Sequence, residues 1–339
     1  KPRDQARLLI LDRKSGRIEH KKFYNIIDYF NPGDVLVLNN SKVIPARLIG
    51  HKETGGEIEI FLLRKIKSQT WQVLIRGKIK ENQKISFFPP YPCIKEGAGG
   101  RSKKIFATIV KKTNNENIVK FNCSDKQLFL IGETPTPPYI KKKAKLADYQ
   151  TIYAKTAGSV AAPTAGLHFT KSLLAKLKKK EVKIEYITLH VGLGTFSPVK
   201  SQYIQDHQIH SEYASINKST ADRLNQAKRQ GHKIIACGTT TVRALEAFTK
   251  KSPSLSRNGL GEVCCYHLVP DNKLVNIFIY PGYKFKFIDS MITNFHLPKS
   301  SLIMLVSALA GEKLIKTAYQ KAIAKKYQFY SFGDAMLII

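Results

Sequence analysis

The fold is decided by five short segments in the middle of the chain, EIEIFLL (57–63), WQVLIRG (71–77), KISFF (84–88), KIFATIVKK (104–112) and NIVKFN (117–122). Each is rich in β-branched and aromatic residues, and turn-forming stretches rich in glycine or proline separate them. No helical period of useful length runs through this region. Successive short strands joined by turns are typical of a small β-barrel, which we predict over residues 47–124.

Outside this region, strands and helices alternate. Residues 7–12 and 35–38 favour strands, Thr170 is placed to cap a helix over KSLLAKLKKK, and a strand follows in 182–192. The same alternation continues to the end of the chain, with helices expected at 221–230, 241–248, 301–309 and 312–327 and strands at 233–238, 276–280 and 284–289. We therefore predict an α/β fold. A layered α/β catalytic domain, residues 1–46 and 125–339, is interrupted by the inserted β-barrel domain, residues 47–124.

Charge dominates the composition of this 339-residue chain. It has 56 Lys and Arg against 25 Asp and Glu, a formal net charge of +31, with 17 Phe and 15 Tyr that exclude a disordered polymer. A basic surface attracts polyanions such as nucleic acids. Of the basic residues, 44 are Lys and only 12 are Arg, and lysine abundance also follows from genome composition. Charge alone therefore permits a nucleic-acid partner without establishing one.

Cysteine usage and hydropathy favour a cytoplasmic protein. The five cysteines include no C-x-x-C pair, and the vicinal Cys264–Cys265 is a poor structural disulfide. Free thiols are typical of a reducing compartment. The longest apolar stretch, residues 301–311, has about half the length that a bilayer crossing requires, so we expect no membrane association.

Two motifs have the features of ligand-binding segments. GTTTVRALE (238–246) is expected to leave a strand and enter a helix, so Thr239, Thr240 and Thr241 are placed to cap a helix start that could hold an anion. Arg243 could reach the same ligand or pair with Glu246, and an ordinary capped helix explains the pattern equally well.

The stretch AGSVAAPTAGLHFT (157–170) consists mostly of small residues around His168. Small residues allow a backbone to approach a ligand closely, although a packed connection has the same composition.

Three further stretches carry polar side chains. In DHQIHSEY (206–213), Asp206, His207, His210 and Glu212 could form a metal cluster, but no third ligand of suitable spacing follows and we favour a hydrogen-bonded network. TNFHLPKSS (293–301) places His296 beside hydroxyl and amide groups, where a neutral imidazole can act as acid or base. SFGDAML (331–337) places Asp334 after a glycine.

The motifs together resemble the S-adenosylmethionine:tRNA ribosyltransferase-isomerase family of the queuosine pathway. The resemblance rests on FNPGDVLVLNNSKVIPARL (30–48), PTPPYI (135–140), YQTIYAKTAGSVAAPTAGLHFT (149–170), TLHVGLGTFSPV (188–199), DHQIHSEY, GTTTVRALE, the long segment 277–311 and YQFYSFGDAMLI (327–338), in the family's order and over nearly the whole chain. Three departures stand out: a short further N-terminal segment is expected before Lys1, the stretch before YQT is shorter and Lys-rich, and Gln328 replaces an arginine.

The resemblance implies a reaction and its partners, and the chemistry of that reaction points to a set of candidate site residues. S-adenosylmethionine is consumed as a substrate, with no metal or redox cofactor, and its ribosyl unit is transferred to a tRNA whose wobble position carries 7-aminomethyl-7-deazaguanine. The expected product is epoxyqueuosine, with release of adenine and methionine, and we expect a monomer. His168, His296, His190 and Glu212 are the candidate catalytic residues. The candidate substrate-binding residues are Ala165, Gly166, Thr239, Thr240, Arg243, Tyr280, Thr293, Asn294 and Phe295.

Two other classes of protein remain alternatives at this point. One is an S-adenosylmethionine-dependent RNA methyltransferase, although the usual glycine-rich strand–turn–helix with a following acidic residue is not evident. The other is a non-catalytic tRNA-binding protein, which the β-barrel and the charge would suit. The lysine clusters at 141–145 and 176–180 are either solvated surface or contacts to a phosphate backbone.

Overall fold

The computed structural model describes residues 2–87, 104–113, 117–135, 145–192, 204, 207, 209–254 and 263–339. The chain divides into two compact units, one of Lys1–Ser41, Gln150–Thr156 and Ala162–Ile339 and the other of Lys42–Tyr149 and Ala157–Ala161. The second unit takes in more of the chain than the range 47–124 expected for the barrel. Among the described residues, no helix combines the length and the apolar character that crossing a membrane requires.

The strands are β1 (Arg7–Leu11), β2 (Ile18–Lys22), β3 (Val35–Asn39), β4 (Ser41–Val43), β5 (Arg47–Lys52), β6 (Glu57–Lys67), β7 (Thr70–Arg76), β8 (Lys84–Phe87), β9 (Ile105–Lys112), β10 (Asn117–Phe121), β11 (Thr156–Ser159), β12 (Lys183–Leu189), β13 (Glu212–Ile216), β14 (Ile234–Cys237), β15 (Thr249–Ser254), β16 (Val263–Leu268), β17 (Asp271–Val275), β18 (Ser290–Asn294) and β19 (Ala335–Ile338). The helices are α1 (Asp125–Ile131), α2 (Lys171–Lys179), α3 (Lys218–Arg229), α4 (Thr239–Phe248), α5 (Ser301–Ala310) and α6 (Glu312–Ala324), with 3-10 helices at Arg3–Gln5, Phe23–Tyr29 and Thr164–His168.

A nine-stranded mixed sheet forms the first unit, in the order β17-β13-β12-β3-β14-β18-β19-β1-β2. Strands β12, β3, β14 and β18 are mutually parallel, whereas β19 runs antiparallel to β18 and β13 antiparallel to β12. The central strands are continuous apolar runs such as VLVL and IIAC that are buried along their whole length. Such runs are expected where helices cover both faces of a sheet, so the α/β class expected from the sequence is confirmed.

The second unit contains a closed six-stranded barrel, in the order β10-β7-β6-β5-β8-β9. Burial alternates along β6, where Ile58, Ile60 and Leu62 point into the barrel and their neighbours face outward. This period of two is what a strand with one buried face requires, and the predicted barrel is therefore confirmed. A separate two-stranded ribbon joins β4 and β11.

Several helix starts follow local sequence signals. Thr170 caps α2, because its Oγ1 accepts a hydrogen bond from the Leu173 N–H at 3.2 Å, and Ser300 caps α5 in the same way through Ile303. Helix α3 begins at Lys218, three residues before the expected range 221–230, because Asn217 is its cap. Helix α1 was not expected from the sequence; it begins with a capping box of Ser124 and Gln127 at the end of the barrel segment.

The strands expected at 276–280 and 284–289 are wrong. Neither range forms sheet pairs, and the neighbouring strands are β17, which ends at Val275, and β18, which begins at Ser290. The physical reason for the second error is a side chain: the buried carboxylate of Glu246 accepts the N–H groups of Lys286, Phe287 and Ile288 at 2.9, 3.1 and 3.3 Å. A carboxylate that satisfies successive N–H groups replaces a strand partner.

Candidate active site

The sheet register brings most of the candidate residues to one edge. Asn39, Leu189, Gly238 and Asn294 lie at or just after the carboxyl ends of the four parallel strands β3, β12, β14 and β18. The antiparallel strand β13 begins at the same edge with Glu212. Ligands of α/β sheets bind beyond the carboxyl ends of parallel strands, so we call this the carboxyl edge and treat it as the candidate site.

Asn39 holds three elements of the carboxyl edge together. Its side-chain oxygen accepts the N–H groups of Ser41 and Leu189 at 3.0 and 3.1 Å, and its amide nitrogen donates to the Leu189 carbonyl at 2.9 Å and to Thr240 Oγ1 at 3.4 Å. The side chain is fully buried. The ends of β3 and β12 are thereby fixed relative to the start of α4. Asn39 lies in the motif 30–48 but was not among the expected site residues.

The start of α4 differs from the expectation that threonines cap it. The N-cap is Gly238, with a φ of 90°, and no side chain of the described residues accepts a hydrogen bond there. Thr241 instead donates through Oγ1 to the Cys237 carbonyl at 2.6 Å. A glycine suits this position because its φ lies in the left-handed region. The first N–H groups of the helix, at Thr239 and Thr240, thus have no side-chain cap and retain their capacity for a ligand.

Arg243 pairs with Glu212 and not with Glu246. The guanidinium Nη1 donates to Glu212 Oε2, while Nε donates to the Ile277 carbonyl at 3.2 Å. The other carboxylate oxygen of Glu212 accepts the Gly192 N–H at 2.8 Å. Both charged residues are almost completely buried, at 3% and 4% exposure. The expected alternative, a pair of Arg243 with Glu246 three residues later, does not form. Glu246 instead accepts hydrogen bonds from the Tyr283 hydroxyl and from the backbone N–H of Lys286.

His190 lies directly after β12 between two contacts. Its Nδ1 is 2.7 Å from Ser41 Oγ, and its ring stacks on Tyr213 with centroids 5.5 Å apart. Burial lowers the pKa of His190 below its ordinary value, so the ring is neutral near pH 7. Ser41 was not among the expected site residues. The one feature of the sequence that could have indicated a role for Ser41 is its position in the polar run NNS (39–41), directly after the apolar strand segment 35–38.

His168 is a buried imidazole with an assigned tautomer. Asn294 Nδ2 lies 3.4 Å from His168 Nε2, and because an amide nitrogen only donates, Nε2 is the accepting nitrogen. Asn294 is itself oriented by Thr164, whose hydroxyl donates to Oδ1 at 3.0 Å. One face of the imidazole packs against Phe23 at 4.9 Å. Burial is the main cause that lowers the pKa of His168 to about 4, which leaves the ring neutral.

His296 is oriented by Thr293. The Thr293 hydroxyl donates to the Asn294 carbonyl at 3.2 Å and lies 2.8 Å from His296 Nε2. A hydroxyl has one proton to donate, so Nε2–H is the donor to Thr293 and Nδ1 is the basic nitrogen. Burial lowers the pKa of His296 to about 4. The side chains of Asn294 and Thr293 therefore orient one histidine each.

Gly166 in the small-residue loop is required by a close contact. A Cβ at this position would lie 1.9 Å from Tyr153 Oη, so no other side chain fits without movement. The neighbouring Ala165 lies next to the start of α4, since its Cβ would be 3.8 Å from a Cβ at Gly238. The loop thus passes the end of β14, where backbone and ligand can approach one another closely.

The two aromatic candidates have different surroundings. Phe295 is fully buried, and its ring contacts Tyr319, Tyr327 and Phe329 at centroid distances of 5.3, 5.6 and 4.9 Å. A ring so enclosed packs the core and offers no face for stacking on a base, so we attribute to it a packing role. Tyr280 is only partly buried and contacts Phe278 at 5.2 Å.

Two further acidic residues, Asp334 of the motif 331–337 and Asp289, accept hydrogen bonds from backbone N–H groups. Asp334 accepts the Arg7 N–H at 2.7 Å and the Gln328 N–H at 2.8 Å, and Asp289 accepts the Ile234 N–H at 2.8 Å. Both carboxylates therefore join their own segment to a strand that is distant in the sequence, β1 for Asp334 and β14 for Asp289. The motif 206–213 is described only in part: Asp206 lies outside the described residues, while His207 contacts Phe278 and His210 is exposed. In the part of the chain that the structure describes, no group of three or more metal-ligating side chains is present.

Parts of three sequence motifs fall outside the described residues. These are most of PTPPYI, most of the lysine cluster 141–145, and Leu193 and Gly194 of the turn after His190.

The candidate residues form two groups along the carboxyl edge. Glu212, Arg243 and His190 belong to the strands β13 and β12 and to α4, whereas His168 and His296 gather around the end of β18. Strands β13 and β18 are four positions apart in the sheet, a separation of roughly 19 Å at the usual strand spacing. The edge is therefore wide enough for an extended ligand or for two ligands side by side.

Comparison with known proteins gives one consistent result. The protein family described as "Queuosine biosynthesis protein" matches residues 1–338. A protein of Thermoanaerobacter sp. (strain X514) is 48% identical over 345 residues, covering 99% of this chain and 94% of that protein, and one of Thermosipho melanesiensis is 44% identical over 339 residues, covering 99% and 93%. Both relatives are named S-adenosylmethionine:tRNA ribosyltransferase-isomerase. A crystal structure of S-adenosylmethionine tRNA ribosyltransferase from Thermotoga maritima matches with a TM-score of 0.51 and 34% identity, covering 100% of this chain and 94% of that one.

Proposed function

The chain belongs to the queuosine biosynthesis protein family, and from this premise we propose that it is an S-adenosylmethionine:tRNA ribosyltransferase-isomerase. The observation that carries the proposal is the family match over residues 1–338, with relatives of that name close to half identical over their own length. The chain therefore has counterparts for nearly all of the enzyme that those relatives represent.

The proposed reaction joins two substrates. The ribosyl unit of S-adenosylmethionine is transferred to the aminomethyl group of 7-aminomethyl-7-deazaguanine at the wobble position of a tRNA. It is then isomerised to an epoxycyclopentanediol, which gives epoxyqueuosine and releases adenine and methionine. S-adenosylmethionine is consumed as a substrate, so the proposal needs no metal or redox cofactor. We further propose that the enzyme is a cytoplasmic monomer.

The proposed reaction requires particular chemical groups at the site. The sulfonium acidifies the C5′ protons, so a base must remove one, and adenine leaves only if a donor hydrogen-bonds or protonates it. The acceptor amine must be neutral to attack. Reactive intermediates also require a site from which water is excluded. The buried, neutral histidines of the carboxyl edge meet the requirements for a base and for exclusion of water.

We assign the base to His168. Its Nε2 lone pair is directed at the Asn294 amide over a long contact of 3.4 Å, a weak hydrogen bond that a substrate proton donor can replace. We assign to His296 the acceptance of a proton at the second centre, because Thr293 holds its Nε2–H and leaves the neutral Nδ1 as the acceptor. His190, oriented by Ser41, is the third candidate.

Substrate binding is assigned to the small-residue loop and the start of α4. Ala165 and Gly166 bring backbone close to the end of β14, and Thr239 and Thr240 offer uncapped N–H groups. Arg243 is the candidate for an anionic group, either the methionine carboxylate or an RNA phosphate. Tyr280, which is partly exposed, is the candidate for stacking on adenine or on the modified base.

Product analysis tests the proposed function. Purified protein is incubated with S-adenosylmethionine and with tRNA that carries the aminomethyl-deazaguanine, and the small molecules are separated. We expect free adenine and methionine, and only when that tRNA is present. Release of S-adenosylhomocysteine would identify a methyltransferase instead, and tRNA binding without any product would identify a binding protein.

A further inference from the structure

The Glu212–Arg243 ion pair contains one donor that the fold leaves unused. Arg243 is held through Nη1 by Glu212 and through Nε by the Ile277 carbonyl, whereas its buried Nη2 has no hydrogen-bond partner among the residues that the structure describes. The residue is only 3% exposed. A buried donor without an acceptor is costly, and a guanidinium loses more than a neutral group does. A ligand acceptor at Nη2 would remove this cost.

Two contacts fix the direction of that donor. Because Nε and Nη1 are both engaged, the planar guanidinium cannot rotate without breaking hydrogen bonds, so Nη2 is pre-oriented. Arg243 lies on α4, and helical side chains lean toward the helix start, which is the uncapped end at the carboxyl edge. The carboxylate of the pair is also held from its other oxygen, because the Gly192 N–H donates to Glu212 Oε1. Gly192 has no side chain, and a Cβ at this position would lie 3.8 Å from the same oxygen.

Charge decides between the two anionic ligands that Arg243 could take. Glu212 already neutralises the guanidinium, so the buried pair has no net charge. An RNA phosphate would add an uncompensated negative charge to a site that excludes water, which is strongly unfavourable. A zwitterion adds one negative and one positive charge, and each finds its opposite in the pair. An α-amino acid group has this chemistry.

We infer that the Glu212–Arg243 pair binds the amino-acid end of S-adenosylmethionine, with the α-carboxylate on Arg243 Nη2 and the α-ammonium on Glu212. The inference rests on the proposed function, since it takes S-adenosylmethionine as the substrate. It assigns the β13 end of the carboxyl edge to methionine. The ribosyl and adenine groups then extend along the edge toward His168 and His296.

Analogues of the substrate test the inference on the unaltered enzyme. Binding of S-adenosylmethionine is compared with that of its decarboxylated analogue, which keeps the ammonium, and of a deaminated analogue, which keeps the carboxylate. A charge-assisted hydrogen bond in a buried site contributes about tenfold to a hundredfold in affinity, so each analogue should bind more weakly by about that factor. Equal affinity for all three compounds would overturn the inference.

Variants of Arg243 and Glu212 test whether these two residues cause the weaker binding of the analogues. In Arg243→Lys the carboxylate should no longer matter, so S-adenosylmethionine and the decarboxylated analogue should bind alike; in Glu212→Gln the same should hold for the deaminated analogue. The matched control is Arg223→Ala, because Arg223 forms an ion pair with Glu185 on the same sheet, with Nη2 at 2.8 Å from Oε2. This control should retain the full preference for S-adenosylmethionine.

The outcomes separate this inference from the proposed function. If the unaltered enzyme does not release adenine from S-adenosylmethionine in the presence of the tRNA, the proposed function fails. If it releases adenine but does not discriminate among the analogues, or if Arg243→Lys keeps the discrimination, only the present inference fails. If Arg243→Lys changes the salt dependence of tRNA binding but keeps the preference among the analogues, Arg243 binds a phosphate. That result would also overturn the present inference.

Discussion

The side-chain amide of Asn294 lies 3.4 Å from Nε2 of His168 and fixes which nitrogen of that buried imidazole is basic. The neighbouring Thr293 orients His296 in the opposite sense, with Nε2 as the donor. Two consecutive residues at the end of one strand thus set the tautomers of two histidines. Their side chains diverge because successive residues of a strand point to opposite faces.

Replacing His168 tests its assignment as the base. His168→Ala should lower turnover by about a hundredfold or more, the usual contribution of a general acid or base, and Asn294→Leu should lower it by a smaller factor because the tautomer is no longer fixed. Single-turnover release of adenine measures both. The control is His232→Gln, which alters a histidine before β14 at the opposite edge of the sheet. Near-normal rates in His168→Ala would exclude this histidine from the mechanism.

The two buried histidines predict a loss of stability in acid. Burial lowers the pKa of His168 and of His296 to about 4, whereas an unfolded histidine titrates at about 6.5. Between these values the unfolded chain binds more protons, so stability is complete above pH 6.5 and falls as the pH drops toward 4. Urea unfolding at pH 7 and pH 5 measures the loss. His168→Gln should show a smaller difference between the two pH values, and an unchanged difference would contradict the buried neutral state.

Glu246 is predicted to be a structural carboxylate. It is 2% exposed and accepts hydrogen bonds from the Tyr283 hydroxyl and from three consecutive backbone N–H groups that begin at Lys286. Glu246→Gln replaces an acceptor with a donor in this cluster, so we expect a loss of about 2–4 kcal/mol in the free energy of unfolding. Glu312→Gln, at an exposed position in the first turn of α6, should change it by under about 0.5 kcal/mol. Similar values for the two variants in urea titrations would show that the cluster adds no stability.

The topology predicts which lysines affect tRNA binding. Helix α6 ends near the carboxyl edge, where Arg7 at the start of β1 donates to the Lys325 carbonyl at 2.6 Å. Replacing Lys321 and Lys325 with Ala should therefore reduce the slope of log affinity against log salt by about 1.4 to 1.8, since each phosphate contact contributes about 0.7 to 0.9. Replacing Lys313 and Lys316, on the first turns of the same helix, removes equal charge at the far end and should leave the slope unchanged.

The cluster 176–180 supplies a second comparison for the salt measurement. It ends α2 and leads into the first residue of β12, so it lies at the edge of the sheet opposite to the candidate site. Its replacement should not alter the slope. If every lysine pair lowered the slope equally, the charge of this chain would act as a general background and not through a surface at the carboxyl edge.

Local composition and turn signals predicted the α/β class and the barrel. Short segments rich in β-branched and aromatic residues, separated by turns, predicted the barrel, and the run VLVL predicted a strand, because these signals depend only on residues close by in the chain. The caps at Thr170 and Ser300 are equally local. Errors arose where a distant side chain replaced a local partner. Glu246 binds the loop at 286–288, which was therefore mistaken for a strand.

The candidate site was predictable as a set of motifs but not as a geometry. Arg243 and Glu212 are separated by 31 residues and meet only because β13 and α4 reach the same edge, so the spacing within GTTTVRALE could not reveal the pair. Asn39 and Ser41 were missed because their roles depend on hydrogen bonds across strands. Phe295 lies beside candidate residues in sequence, yet its ring faces the core.

In the proposed reaction, the five-carbon unit of S-adenosylmethionine moves onto the tRNA. The most direct measurement is the mass of the wobble nucleoside after reaction, taken together with the amount of adenine released in the same tube. The proposed reaction predicts that the nucleoside gains the ribosyl-derived unit, with one adenine released for each modified nucleoside. A nucleoside that gains only a methyl group, or adenine released without any change in the tRNA, would contradict it.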